Sequence, residues 1–181
     1  MVLEGDGVDA SPFVPLESRE REIKIAAAQI VVSRNVDENV IRIADALRIA
    51  SVDRADVVVF PERAVIGNGD LNADQLAQAF MTIQEHVCLN QVYAVLGMPF
   101  MKNGKVYNSA VAIGPDGKIH TQYDQISARA DGPFTPGEST KAMWFEIDGV
   151  YATITIGDDL YWPELTELAA YRGMQLHFHL D

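Results

Sequence analysis

The stretch Tyr151–Leu165 constrains this chain most, because its pattern predicts a buried strand, a tight turn and a helix in succession. The strand is apolar apart from two threonines, and it breaks at Gly157 before two carboxylates, Asp158 and Asp159. Pro163 suits the first turn of the helix that follows. Binding and catalytic groups are common on such connecting turns. The stretch therefore predicts a functional site, although the residue at its tip is a glycine with no reactive side chain.

Composition and charge exclude several classes of protein. The chain has 181 residues, of which 48% are hydrophobic, and this is enough for one sizeable core. Its formal net charge of −12 argues against nucleic acid or an anionic membrane as the main partner. The single cysteine, Cys88, excludes an internal disulfide and fits a reducing compartment, so we expect a cytoplasmic protein. No apolar run approaches the roughly 20 residues that a membrane-spanning helix needs.

The elements along the chain indicate a mixed α/β domain. Hydrophobic patterns predict eight strands and three helices, and the first two helices are capped by Asn35 and Asn72. We expect Cys88, at the end of the second helix, to lie in the core. The strands are predicted over residues 23–32, 56–61, 92–99, 105–114, 118–126, 142–147, 151–156 and 175–180.

The domain boundaries follow from the polarity of the chain. Residues 1–20 are mostly polar, and we interpret them as a flexible N-terminal arm whose apolar run, Phe13-Val14-Pro15-Leu16, packs on the domain. Residues 21–181 form one predicted domain without repeats or linkers. Because domains seldom end on an apolar strand, we expect a C-terminal part of this domain to be missing.

Five stretches, taken together and in order, resemble the nitrilase superfamily of carbon–nitrogen hydrolases. They are IKIAAAQI at 23–30, VVVFPE at 57–62, YNSAVAIGPDGKI at 107–119, DGPFTPGE at 131–138 and ITIGDDLYWPEL at 154–165. Each stretch alone is a weak signal, but their order and spacing extend the resemblance from about residue 23 to residue 181. The resemblance implies an α-β-β-α four-layer sandwich, with two sheets face to face and helices outside.

The resemblance also implies a set of catalytic positions. The family uses a cysteine thiolate to attack a nitrile or amide carbon, a glutamate to move protons and a lysine to stabilise the tetrahedral intermediate. Glu62 matches the glutamate, but Gln125 stands at the lysine position and Gly157 at the cysteine position. Asp131 corresponds to a second glutamate that many members carry. The usual nucleophile and cation are therefore both replaced.

Other polar and aromatic residues near the turn are candidates for the pocket. Asp158 and Asp159 could activate water or bind a metal, but we interpret Asp159 as a family aspartate that is held in the turn. Tyr161 and Trp162 could stack on a ligand or on a partner subunit. We favour the partner subunit, because members of the resembled family commonly pair through the helices beside this turn.

Two histidines on the last strand, His177 and His179, point to the same side by the two-residue period of a strand. That spacing suits a metal, but the sequence offers no evident third ligand. We therefore favour an interface or a pocket lining for this pair, and we expect neither a metal nor another cofactor.

Two functional hypotheses follow. The first is a nitrilase-like domain that has lost cysteine-dependent hydrolysis and acts as a ligand-binding, regulatory or oligomerisation domain. Its partners would be a small amide, nitrile or carboxylate ligand and a second copy of the chain. The second is an active hydrolase of amide, nitrile or N-carbamoyl substrates, in which Glu62 or Asp158 activates water.

Overall fold

A computed structural model describes residues 22–67 and 69–181, so the predicted arm of residues 1–20 lies outside the described residues. The strands are β1 Ile25–Ala27, β2 Val57–Val59, β3 Tyr93–Lys102, β4 Lys105–Ile113, β5 Ile119–Asp124, β6 Trp144–Ile147, β7 Val150–Ile156 and β8 Leu176–Leu180. The α-helices are α1 Val36–Val52, α2 Ala73–Asn90 and α3 Pro163–Tyr171. Short 3₁₀ turns at Thr140–Met143 and Gly157–Tyr161 precede β6 and α3.

The strands form two sheets. The five-stranded sheet has the order β1-β2-β3-β4-β5, with parallel pairing from β1 to β3 and antiparallel pairing from β3 to β5. In the three-stranded sheet, β7 pairs antiparallel with β6 and parallel with β8. The hairpins β3–β4 and β6–β7 turn at Asn103-Gly104 and Asp148-Gly149, where both residues have positive φ, as a two-residue type I′ turn requires.

Two hydrophobic cores give the molecule four layers. The first core lies between the five-stranded sheet and α1 and α2, whose inner faces include Ile43, Leu47 and Ile83. The second core lies between the two sheets and includes Tyr123 and Ile154. Helix α3 adds Ala169 to the second core, and it completes the predicted α-β-β-α order. None of the helices in the described ranges is both long and apolar enough to cross a membrane.

Two local predictions were wrong. The sequence predicts a strand over residues 23–32, but β1 is only three residues long. Its neighbour β2 also pairs over three residues, and this limits the length of β1. Cys88 is exposed rather than in the core. The inner face of α2 is occupied by Ile83 and Val87, and a residue next to Val87 is turned away by about 100° around the helix.

Candidate active site

Glu62 lies in the turn that follows β2, where the turn passes over β3. At Gly97 of β3, a side chain would put its β-carbon 2.8 Å from the Glu62 Cα atom and 2.8 Å from the Arg63 backbone nitrogen. No side chain fits at that distance, so glycine lets the turn lie against the strand. The Glu62 backbone N–H also donates to the carbonyl oxygen of Asp181, just after β8, at 3.3 Å. Both sheets therefore position Glu62.

Two amide side chains join the Glu62 carboxyl group. Asn108 of β4 is 1% exposed, and its Nδ2 donates to Glu62 Oε1 at 2.5 Å and to Gln125 Oε1 at 2.9 Å. Gln125, just after β5, donates from its Nε2 to Ser127 Oγ at 3.2 Å. Its backbone N–H bonds the carbonyl of Asn108, so strand pairing itself places the two amides side by side. Asn108 is the link between Glu62 and Gln125.

Gly157 brings the end of β7 to the same place. Its φ of +58° lies in the left-handed region, which favours glycine. A β-carbon at this position would lie 2.8 Å from Gln125 Nε2 and 3.2 Å from Glu62 Oε1. The three positions that the sequence singled out, which come from three separate parts of the chain, therefore converge. We call Glu62, Asn108, Gln125 and Gly157 the Glu62 cluster.

The Glu62 carboxyl group is less acidic than an ordinary glutamate. Burial raises its pKa, and the hydrogen bond from Asn108 opposes that shift. The charge of Asp181 raises the pKa further, Arg63 lowers it, and Asp158 raises it, so that the net direction is upward. The cluster has no thiol, and Gln125 brings no positive charge. Its chemistry is limited to hydrogen bonding and to proton transfer at Glu62.

Asp159 has a structural role, because it stabilises the turn that follows β7. It is 2% exposed, its Oδ2 accepts from Tyr123 Oη at 2.7 Å, and its Oδ1 accepts from the Ser127 backbone N–H at 2.9 Å. Burial and the charge of Asp159 raise the pKa of the Tyr123 phenol, which keeps it a donor. Asp159 therefore ties the turn after β7 to β5 and to the segment that carries Gln125.

The remaining candidates lie on the surface. Asp131 does not join the Glu62 cluster. Its carboxylate pairs with Arg129 at 3.1 Å, and both side chains are largely exposed, because they lie on the outside of the loop before β6. Asp158 is exposed and reaches Glu62 only through its charge. Tyr161 and Trp162 are 78% and 56% exposed.

His177 and His179 do lie on one side of β8, facing two threonines of β7. The ring of His177 is 2.8 Å from Thr153 Oγ1 and 3.1 Å from Thr155 Oγ1, and His179 Nδ1 is 2.9 Å from Thr155 Oγ1. Burial and then the neighbouring His179 lower the pKa of His177. Across the ranges 22–67 and 69–181, no three His, Cys, Asp or Glu side chains are grouped to hold a metal.

Comparison with known proteins identifies the family. The family model of the carbon–nitrogen hydrolases matches residues 24–181, which is most of the chain. The chain belongs to the carbon–nitrogen hydrolase family. Two curated relatives are each 31% identical: a hydrolase in the agr operon of Staphylococcus aureus over 137 residues, and an (R)-stereoselective amidase of Pseudomonas sp. over 134 residues. These matches cover 69% and 67% of this chain.

Solved structures share the fold of this carbon–nitrogen hydrolase domain. An amidase of the nitrilase superfamily from Nesterenkonia AN1 superposes with a TM-score of 0.80 at 21% identity, covering 87% of this chain and 64% of the amidase. A glutamine-dependent NAD⁺ synthetase from Acinetobacter baumannii gives 0.77 at 22% identity, covering 87% of this chain and 32% of the synthetase. The chain spans about half the length of the curated relatives, 52% and 46%.

Sequence reasoning missed Asn108 as a site residue of this carbon–nitrogen hydrolase domain. The signal was an asparagine inside a mostly apolar strand, VYNSAVAI, where a polar side chain must find a partner to be buried. Ser127 was also missed, because it lies in a loop whose sequence does not show what its hydroxyl faces.

We expect Gly97→Ala to displace the Glu62 turn, because the new β-carbon would overlap the Glu62 backbone. Overpacking of this kind costs about 1–3 kcal/mol, which urea unfolding measures as a lower midpoint. Gly132→Ala, in an exposed loop where a β-carbon would lie 3.1 Å from the Arg129 carbonyl oxygen, is the milder comparison and should lower the free energy of unfolding by less than Gly97→Ala does. Equal effects of the two substitutions would contradict the close approach at Gly97.

We expect Glu62→Gln to have a larger free energy of unfolding than the parent, and we expect this difference to grow as the pH rises from 5 to 8. The pKa of Glu62 is raised in the folded protein. The carboxyl group therefore contributes fully to stability below the ordinary glutamate pKa, and this contribution is lost as the pH rises through the pKa that the group has in the folded protein. Glutamine keeps the acceptor for Asn108 and does not titrate. Urea midpoints at the two pH values test this, with exposed Glu85→Gln of α2 as the charge-matched control. A gain that shrinks with pH would refute the sign.

Proposed function

We propose that this carbon–nitrogen hydrolase domain has lost cysteine-dependent hydrolysis and acts by binding a small amide, nitrile or carboxylate ligand. The observation that carries the proposal is Gly157, whose missing side chain would project between Gln125 and Glu62. Glycine forms no acyl intermediate, and loss of a nucleophile in hydrolases costs about 10⁴–10⁶ in rate. Gln125 can donate a hydrogen bond to an oxyanion, but without a positive charge.

A ligand-binding role is supported by the hydrogen-bonding groups that the cluster keeps. Asn108 Oδ1 is buried and has no hydrogen-bond partner among the described residues, so the cluster contains an acceptor that no described group uses. Glu62 and Gly157 are partly exposed, which leaves the cluster open on one side. A buried acceptor beside a partly exposed carboxyl group suits a small polar ligand.

The test combines turnover with binding. Ammonia release is measured at high protein concentration from a panel of amides, nitriles and N-carbamoyl compounds, and thermal shift is measured with the same panel and the matching carboxylates. We expect no release above background and a shift for some ligand that is lost in Asn108→Ala. The matched control Asn90→Ala, at the end of α2, should keep the shift. Ammonia release that depends on Glu62 would overturn the loss of hydrolysis.

A second candidate function is hydrolysis without cysteine, and the environment of Glu62 favours it. Burial moves the pKa of this carboxyl group upward, towards the range in which a general base works at neutral pH. In this reaction Glu62 takes a proton from a water molecule as the water oxygen attacks the amide carbon. Glu62 then gives that proton to the amide nitrogen, so that the carbon–nitrogen bond breaks and ammonia leaves. Turnover must then vanish in Glu62→Ala and persist in Cys88→Ser. Asp158 is the alternative base that the sequence suggests, and Asp158→Ala tests it in the same way.

We also propose that the domain pairs with a second copy through the surface around α3, in the cytoplasm. Large side chains are exposed there: Leu160 is 59% exposed, Tyr161 78%, Trp162 56% and Tyr171 86%. Exposed aromatic side chains of this kind are enriched at interfaces. Light scattering should show a dimer that Trp162→Asp dissociates. Leu89→Asp, which changes an exposed side chain of α2, is the control, and a monomeric parent would refute the pairing.

A further inference from the structure

The loop of residues 127–137, which joins β5 to β6, begins and ends beside the Glu62 cluster. At its start, Ser127 Oγ accepts from Gln125 Nε2 at 3.2 Å. At its end, the Gly137 N–H donates to the Gln125 carbonyl oxygen at 2.7 Å. The Thr135 N–H adds a bond to the Val106 carbonyl oxygen at 2.7 Å. We call this segment the β5–β6 loop, and both of its ends are fastened to the residue that carries one amide of the cluster.

Between these two ends the β5–β6 loop bonds to itself. The Gly132 N–H donates to the Arg129 carbonyl oxygen at 2.9 Å, and the Arg129 guanidinium group donates to the Asp131 carboxylate at 3.1 and 3.2 Å. In the described part of the chain, the hydrogen bonds of residues 128–134 all lie within that segment. A segment with few bonds to its surroundings opens at a low free-energy cost.

One aromatic contact joins the middle of the β5–β6 loop to the other side of the cluster. The guanidinium carbon of Arg63 lies 5.5 Å from the centre of the Phe134 ring, and both residues are half-buried. Arg63 directly follows Glu62, and its positive charge lowers the pKa of the Glu62 carboxyl group, against the net upward shift. Phe134 therefore brings the loop to the Glu62 side of the cluster, while Ser127 holds it at the Gln125 side.

The backbone that carries Arg63 is fixed, so the loop is the part that can move. Arg63 has a φ of +53°, in the left-handed region that arginine seldom adopts. Its carbonyl oxygen accepts from the Ile66 N–H at 3.1 Å and from the Gly67 N–H at 2.8 Å, and these bonds hold the turn. The Arg63 backbone nitrogen also lies against Gly97 of β3. A strained conformation persists only where its surroundings enforce it, and such positions cluster at ligand clamps.

We propose that the β5–β6 loop is a lid whose opening widens access to the Glu62 cluster, and that stacking of Phe134 on Arg63 holds it closed. The loop is fastened on both sides of the cluster, it bonds to itself in between, and its middle is joined to the domain through this contact. A cation over an aromatic face shifts an equilibrium by about two- to thirtyfold. Such a contact favours the closed lid and still lets it open.

Alkylation of a thiol placed beneath the loop tests the proposal without a ligand. Ser127→Cys puts a thiol next to Gln125, and the natural Cys88, which is exposed on α2, is an internal reference in the same chain. Mass spectrometry follows the reaction of both thiols with iodoacetamide. We expect Phe134→Ala to speed labelling at position 127 about fivefold and to leave labelling of Cys88 unchanged. Phe134→Tyr keeps the ring face and should keep the slow rate.

A double-mutant cycle assigns the effect to the stacked pair. Arg63→Gln should speed labelling at position 127 as Phe134→Ala does, and the double variant should label no faster than either single one. Tyr171→Ala, which removes an exposed aromatic ring of α3, is the matched control and should change nothing. The proposal is overturned if Phe134→Ala leaves the rate at position 127 unchanged, if the two single effects multiply, or if labelling of Cys88 rises equally.

Discussion

A Gln125→Lys/Gly157→Cys double variant is expected to carry a reactive thiolate, and neither single variant is expected to match it. The two side chains compete for one space, because a β-carbon at residue 157 would lie 2.8 Å from Gln125 Nε2. The positive φ of +58° adds a cost of about 1–2 kcal/mol for cysteine. A lysine ammonium at position 125 offsets this cost because it favours the thiolate. A nearby cation lowers the pKa of a cysteine.

Two measurements test for the reactive thiolate of the double variant. In a Cys88→Ser background, which removes the single natural cysteine, alkylation by iodoacetamide at pH 7 should be about tenfold or more faster in the double variant than in Gly157→Cys alone. Ammonia release from the double variant should rise by a factor on the order of 10⁴ over the parent. Equal alkylation of the single and double variants would show that residue 125 does not act on residue 157.

Asp159→Ala is expected to lower the free energy of unfolding by about 3 kcal/mol. The substitution removes the acceptor of the fully buried Tyr123 hydroxyl and of the Ser127 backbone N–H. A buried donor left without a partner costs about 1–3 kcal/mol, which applies to the Tyr123 hydroxyl, and the half-buried Ser127 N–H adds to the loss. Urea unfolding followed by tryptophan fluorescence gives the loss, because Trp162 lies just after the turn.

The neighbouring residue supplies a matched control for this prediction. Asp158→Ala removes the same group from an exposed position, so it should change stability by less than about 0.5 kcal/mol. Asp159→Asn keeps an acceptor oxygen and should cost less than alanine. If Asp158→Ala is as costly as Asp159→Ala, the buried hydrogen bonds are not the cause.

The helices and strands and their order were largely predictable from local patterns, whereas the four-layer sandwich was implied only by the resemblance to the family. The asparagine caps Asn35 and Asn72, the turn dipeptides and the spacing of apolar residues located all three helices and all eight strands of the described ranges. These signals are local, because a cap or a turn depends on residues a few positions apart. The length of β1 was not predictable, since it depends on how far β2 runs beside it.

The candidate site was predictable in identity but not in arrangement. Motif resemblance located Glu62, Gln125 and Gly157, and the structure brings all three together. The motif resemblance did not indicate that Asn108 donates hydrogen bonds to both Glu62 and Gln125. Nor did it indicate that Asp131 turns outward to pair with Arg129. Such contacts depend on strand register and on the path of a loop, which no single stretch encodes.

The sequence by itself determined the elements, their order and the presence of glutamine at position 125 and glycine at position 157, because these are properties of residue type and short-range spacing. Only the tertiary structure decided that Gly97 lets the Glu62 turn lie on β3, and that a side chain at position 157 would compete with Gln125 for space. Atoms distant in sequence meet there, and excluded volume between them is set by the packing of the two sheets.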